Sequence, residues 1–130
     1  MPAARRFEDL LVWEKARQVA SSVDEACSVP PLCRNYALAD QMRRAACSIM
    51  SNIAEGFELS SPRHFLHFAR IAKASAAELR SQLYLCSDRG YLRPDEAEGL
   101  REATQEIARM LAALIRHLDR QPRGAFRQSS

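Results

Sequence analysis

Apolar residues recur in this chain at spacings of three and four, in four separate blocks, and every block runs into a proline or glycine. That periodicity belongs to the one-sided helix, and the breakers fix how many helices there are. The first block follows Phe7 on Leu10, Trp13, Ala16, Ala20, Val23 and Cys27, and ends before Pro30 and Pro31. The second carries Leu38, Met42, Ala45, Ile49 and Ile53 behind Asn35, a residue type that caps free N–H groups. Gly56 then either stops this helix or lets a neighbour pack close. The third opens on Ser61 as a cap with Pro62 in the first helical position, and runs on Phe65, Phe68, Ala72, Ser75, Leu79, Leu83 and Cys86 to Gly90. The fourth starts at Pro94, sets Asp95 and Glu96 at the positive end of its dipole, and carries Leu100, Thr104, Ile107, Leu111, Leu114 and Leu118. Four such stripes joined by short turns predict an all-α, antiparallel up-down-up-down four-helix bundle over residues 1–120. The helices are expected at about 8–28, 36–57, 62–89 and 94–119, with 121–130 as a flexible tail.

At 130 residues, 47% hydrophobic and 27% charged, the chain has the size and balance of one soluble domain. No apolar run approaches the roughly 20 residues of a membrane span, and "MPAARRFEDLLVWEKA" lacks a signal-peptide block, so a cytoplasmic protein is expected. Cys27, Cys33, Cys47 and Cys86 form no Cys-x-x-Cys pair and read as small buried hydrophobes rather than a disulfide or zinc set. His64-x-x-His67 reads as a solvated pair, because ferritin-like sites combine Glu-x-x-His motifs on two helices and this chain has none. The helical RNases of the HEPN class share the architecture but place a histidine further beyond their arginine than Arg63 stands from His64 or His67. With no Gly-rich phosphate loop and no nucleophile–base arrangement, no catalytic residue, metal, cofactor or small-molecule substrate is assigned.

Three features remain. Gln41, Arg44, Ser48, Asn52 and Glu55 share one flank of the second helix, and Ser75, Glu78 and Gln82 a flank of the third. An antiparallel pairing about the turn at 58–61 sets Arg44 against Ser75 and Glu78, Glu55 near His64, and Asn52 near His67. Since unpaired burial costs a few kcal/mol per group, matched stripes read as a hydrogen-bonded seam that fixes register, within one chain or between chains, rather than an active site. The second feature is basic. Arg63, Arg70 and Lys73 lie in the acid-free stretch 61–75, and Arg116, Arg120 and Arg123 accompany the single Asp119 further on. A formal net charge of +3 permits a polyanion partner, with simple solvation as the alternative. Third, Met50, Phe57, Leu66 and Ile71 stray from the core stripes and suggest an edge for self-association.

The segments "FEDLLVWEKA", "YALADQMRRAACSIMSNIAEGF", "FLHFARIAKASAAELRSQL" and "GYL" together resemble the four helix bundle protein family, which includes proteins encoded by intervening sequences of bacterial 23S rRNA genes. The likeness covers roughly Phe7 to Leu118. Its motifs fall on Leu10, Trp13 and Ala16; on Gln41, Arg44, Ser48, Asn52, Glu55 and Gly56; and on Ser75, Glu78 and Leu79. Ala74 stands where the family often has glycine. The resemblance implies a homopentameric ring, and the fold also resembles the accessory variability protein of diversity-generating retroelements, which binds a reverse transcriptase and nucleic acid. It carries no catalytic residues over. The expectation is a non-enzymatic homo-oligomer that binds RNA, another nucleic acid or a nucleic-acid-processing protein. A protein-interaction scaffold is the alternative, ahead of an RNase or metal-dependent enzyme built on His64, His67 and Glu55.

Overall fold

The computed structural model describes residues 4–122 and consists of α1 (Leu11–Cys27), α2 (Tyr36–Glu58), α3 (Pro62–Arg89) and α4 (Pro94–Asp119). Short 3-10 turns at Phe7–Asp9 and Leu32–Arg34 precede α1 and α2, and there is no strand among the described residues. Each helix packs on the next and α4 returns to α1, giving the expected four-helix bundle.

Most of the expected punctuation operates. Asn35 Oδ1 accepts from the Leu38 N–H at 3.1 Å, while its Nδ2 reaches the Tyr91 hydroxyl at 3.4 Å and ties the start of α2 to the chain beyond α3. Pro62 and Pro94 occupy first helical turns. Gly90 ends α3 with φ +70°, a left-handed conformation that glycine adopts without penalty. Two expectations fail. The first helix starts at Leu11, because Leu10 is extended and Phe7 turns back to meet the Trp13 ring edge-on at 5.0 Å. Ser61 does not cap α3; its Oγ is buried and makes no hydrogen bond. Of the two readings of Gly56 the close approach holds and the stop does not: α2 runs on to Glu58.

The core is built from Met42, Ile49 and Ile53 of α2, Leu79 and Leu83 of α3, Ile107 and Leu111 of α4, and Val23 of α1, all fully buried. Thr104 joins them because its hydroxyl donates to the Leu100 carbonyl at 2.7 Å, so no polar group is left unpaired there. On α1 the stripe is wider than the spacing implied: Val12, Val19 and Ala26 are buried, and Leu10 and Ala20 pack at its margin. A second cluster of Phe57, Phe65 and Leu118 closes one end, with the two phenylalanine rings edge-on at 5.8 Å. Phe57 is therefore a core residue of one chain and not part of an exposed edge. Leu66 leans on the same cluster and Met50 on the main core, which leaves Ile71, at 37% exposure, as the one member of that expected edge open to solvent.

All four cysteines are free. Cys27 and Cys86 are buried as expected, but Cys33 is half-buried and Cys47 exposed. Burial pushes both buried thiols up, Cys86 to about 11.

Candidate nucleic-acid interface

The third helix carries both polar features, one on each flank. Toward α2 the helices meet at Gly56, where an added Cβ would lie 2.8 Å from Phe68 Cβ and 3.3 Å from Phe65 Cα. Only glycine permits that approach, and it sets the register of everything behind it. Ser48 Oγ and Ser75 Oγ share a hydrogen bond of 2.8 Å, and Asn52 donates to the Ser48 carbonyl at 2.8 Å and hydroxyl at 2.9 Å. The seam therefore closes inside one chain, about one helical turn away from the expected pairing. Arg44 points outward to Asp40 of its own helix at 2.9 Å. Among the described residues no hydrogen bond or ion pair joins Arg44 to Ser75 or Glu78, Glu55 to His64, or Asn52 to His67; the His67 ring stands edge-on to Phe68 instead. The turn stays where it was expected, at 59–61, so the shift lies in how the two helices pack beyond it. Gln41, Glu55 and Glu78 are exposed, and Gln82 extends the seam by donating to Glu78 at 3.4 Å.

Toward α4 the same helix is open. Arg63, Arg70 and Lys73 are exposed, as are Arg116 and Arg120. The Arg70 guanidinium lies 3.8 Å from the Asp119 carboxylate, and Arg101 of α4 stacks on the Tyr84 ring at 4.4 Å and donates to Ser87 at 3.2 Å. These contacts fix the antiparallel register of α3 and α4 and bring Arg116 and Arg120 alongside Lys73 and Arg70. Arg123 lies outside the described residues. Arg109, exposed and seven residues before Arg116, continues the row on the same face of α4. It was not among the residues expected from the sequence, where its heptad spacing from Arg116 is the signal that marks it. Arg63, Lys73, Arg109, Arg116 and Arg120 form no ion pair among the described residues, whereas Arg43 is engaged by Asp24 at 2.9 Å and Lys15 by Glu106 at 2.8 Å. The ridge holds cations in solvent, with Asp119 in their midst and the exposed Glu102 and Glu106 of α4 bordering it at Arg109.

Among the described residues no cluster of three or more His, Cys, Asp or Glu side chains is placed to hold a metal ion. No helix is long and apolar enough to cross a membrane.

Four helices, each packed on the next around an apolar core, place the chain among the small all-α bundle proteins. Within that class the family is specific: residues 8–113 match the model of the 23S rRNA-intervening sequence protein family, and the chain belongs to it. Among solved structures it is similar to a protein of unknown function from the S23 ribosomal protein family of Bacteroides thetaiotaomicron, with 22% identity and a TM-score of 0.75. The match covers 81% of this chain and 98% of that one, and at this identity it speaks for the shared fold. No curated protein matches the chain.

Proposed function

We propose that this protein is a non-enzymatic, homo-oligomeric bundle that binds structured RNA or another nucleic acid through the α3–α4 ridge. The observation that carries the reading is the row of exposed cations on two adjacent helices, Arg63, Arg70 and Lys73 beside Arg109, Arg116 and Arg120, interrupted by Asp119 and bordered at Arg109 by Glu102 and Glu106. Guanidinium groups pair bidentately with phosphate, and each phosphate neutralised releases counterions, so such a row favours a polyanion without reading its sequence. Ring assembly into a pentamer, which the family resemblance implies, repeats the row around the assembly and raises its avidity.

The test is RNA binding by the full chain across a salt series. The expected wild-type result is an affinity that falls steeply with salt. Reversing Arg63 and Arg70 together is expected to weaken binding and to flatten the slope of log K against log salt by about 2, one unit for each phosphate left without its arginine. Unchanged affinity and slope in the double variant sinks the assignment. Binding of a protein that is indifferent to salt and to these arginines favours the scaffold reading.

A further inference from the structure

A second surface carries chemistry of the opposite sign. The end of α1 and the start of α4 diverge around a groove of about 460 Å³, lined by Ser22, Glu25, Val29, Asp95, Glu96 and Leu100. Most of its surface is apolar, with Leu100 half-buried and Val29 half exposed, and its rim is acidic. No basic residue lies in the last turn of α1, and Asp95 is engaged by Arg93 at 3.6 Å, which leaves Glu25 and Glu96 as the rim carboxylates without an ion pair among the described residues. A groove so built fits a chain segment that is cationic and carries one large apolar group.

This sequence contains such a segment. Residues 123–130, which follow the described structure, read Arg-Gly-Ala-Phe-Arg-Gln-Ser-Ser: two guanidinium groups flanking one aromatic ring and no acid. We propose that the α1–α4 groove docks this segment of a second copy, with Phe126 against Val29 and Leu100 and Arg123 and Arg127 at Glu25 and Glu96. The partner must be a second copy because of length. From Leu100 to Arg120 the helix rises about 30 Å. The six residues from Arg120 to Phe126 reach about 22 Å when fully extended. A chain's Phe126 therefore falls short of its own groove, and the contact joins two copies.

Gly99 supplies a clean test, since a Cβ built there meets nothing within 4 Å. Gly99→Trp fills the groove while leaving the bundle intact, which circular dichroism verifies. A fluorescein-labelled peptide of residues 119–130 is titrated with the full chain and followed by anisotropy, in the absence of nucleic acid. Wild type is expected to bind in a salt-dependent manner, and Gly99→Trp to bind at least tenfold more weakly. The double reversal Glu25→Lys/Glu96→Lys is expected to lose binding by a similar factor and to recover it with a peptide carrying Arg123→Glu and Arg127→Glu. Failure of the wild type to bind, or equal binding by wild type and both groove variants, overturns the proposal. Because no RNA is present, either result is independent of the ridge.

Discussion

The two flanks of α3 show how one helix divides structural from solvent-facing polarity. Toward α2 the backbones come so close that a single methyl does not fit at Gly56, and the polar atoms behind it are short hydroxyl and amide groups that satisfy one another. Toward α4 the polar side chains are long, their charges stand in water, and only Arg70 has a carboxylate partner. Short polar groups at a close interface are committed to register, because moving either helix leaves a donor or acceptor unpaired. Long cations on an open face are free to meet a ligand. The two flanks should therefore respond oppositely to mutation, the α2 side in stability and the α4 side in binding.

The largest effect belongs to Gly56. Replacing it with alanine gains up to about 1 kcal/mol of helix propensity but forces Phe68 and Phe65 away, and overpacking of this kind costs about 1–3 kcal/mol. Gly56→Leu should lose more than Gly56→Ala in urea unfolding. If both variants matched wild type, the close approach would not govern the flank and the contrast would fail.

Cys86 tests the same flank by pH. Its thiol is buried against Met42, with Sγ 3.6 Å from Sδ, and desolvation raises it to about 11 with a smaller contribution from Cys27. An unfolded thiol titrates near 8.5. Below that value both states are protonated and the group has no pH effect. Between about pH 8.5 and 11 the unfolded chain releases the proton while the folded one keeps it, so stability falls as pH rises, by an amount on the order of 3 kcal/mol. Burial raises Cys27 as well, which steepens the loss. Denaturation midpoints from pH 7 to 11 should decline, and Cys86→Ala should decline less steeply, whatever its stability at pH 7.

A smaller effect sharpens the seam. Ser48→Ala leaves Ser75 without its 2.8 Å partner and Asn52 without one of two acceptors, so each serine substitution should cost about 1–2 kcal/mol. The double variant should cost less than the sum, because both orphaned groups go together. Additive losses would mean that the hydroxyls act separately and that the register is held by Gly56 alone.

Which parts of this were legible in sequence follows from the range of the forces involved. Helices and their ends were readable because caps, prolines and Gly90 act over a few residues. The seam's members were readable from the period of α2, but not their partners: Ser75 meets Ser48 and not Arg44, since a close approach at Gly56 decides by ångströms what a helical wheel resolves only to a turn. Phe57 is no stray: it stands four residues beyond Ile53 and continues the α2 stripe, so its burial was legible, whereas its partners Phe65 and Leu118, from two other helices, were not. Arg63, Arg70 and Lys73 were visible as a patch on one helix, whereas Arg109 joins it only when α4 is laid against α3.

The smallest predicted effect bears most directly on the contrast. Arg63 and Arg116 make no ion pair among the described residues and lie in solvent, so Arg63→Glu and Arg116→Glu should each change unfolding free energy by no more than about 0.5 kcal/mol. Asp119→Asn breaks the bridge to Arg70, whose partners are 57% and 61% exposed, and an exposed pair contributes about 0–1 kcal/mol that salt screens further. Equilibrium unfolding of these variants at low and high salt should superimpose on wild type to within that margin. A loss of several kcal/mol would show that the ridge is structural, as the seam is, and would remove the physical ground for treating its cations as available to phosphate. Near-neutral stability combined with weakened RNA binding separates the two flanks: one holds the bundle, and the other is left free to act.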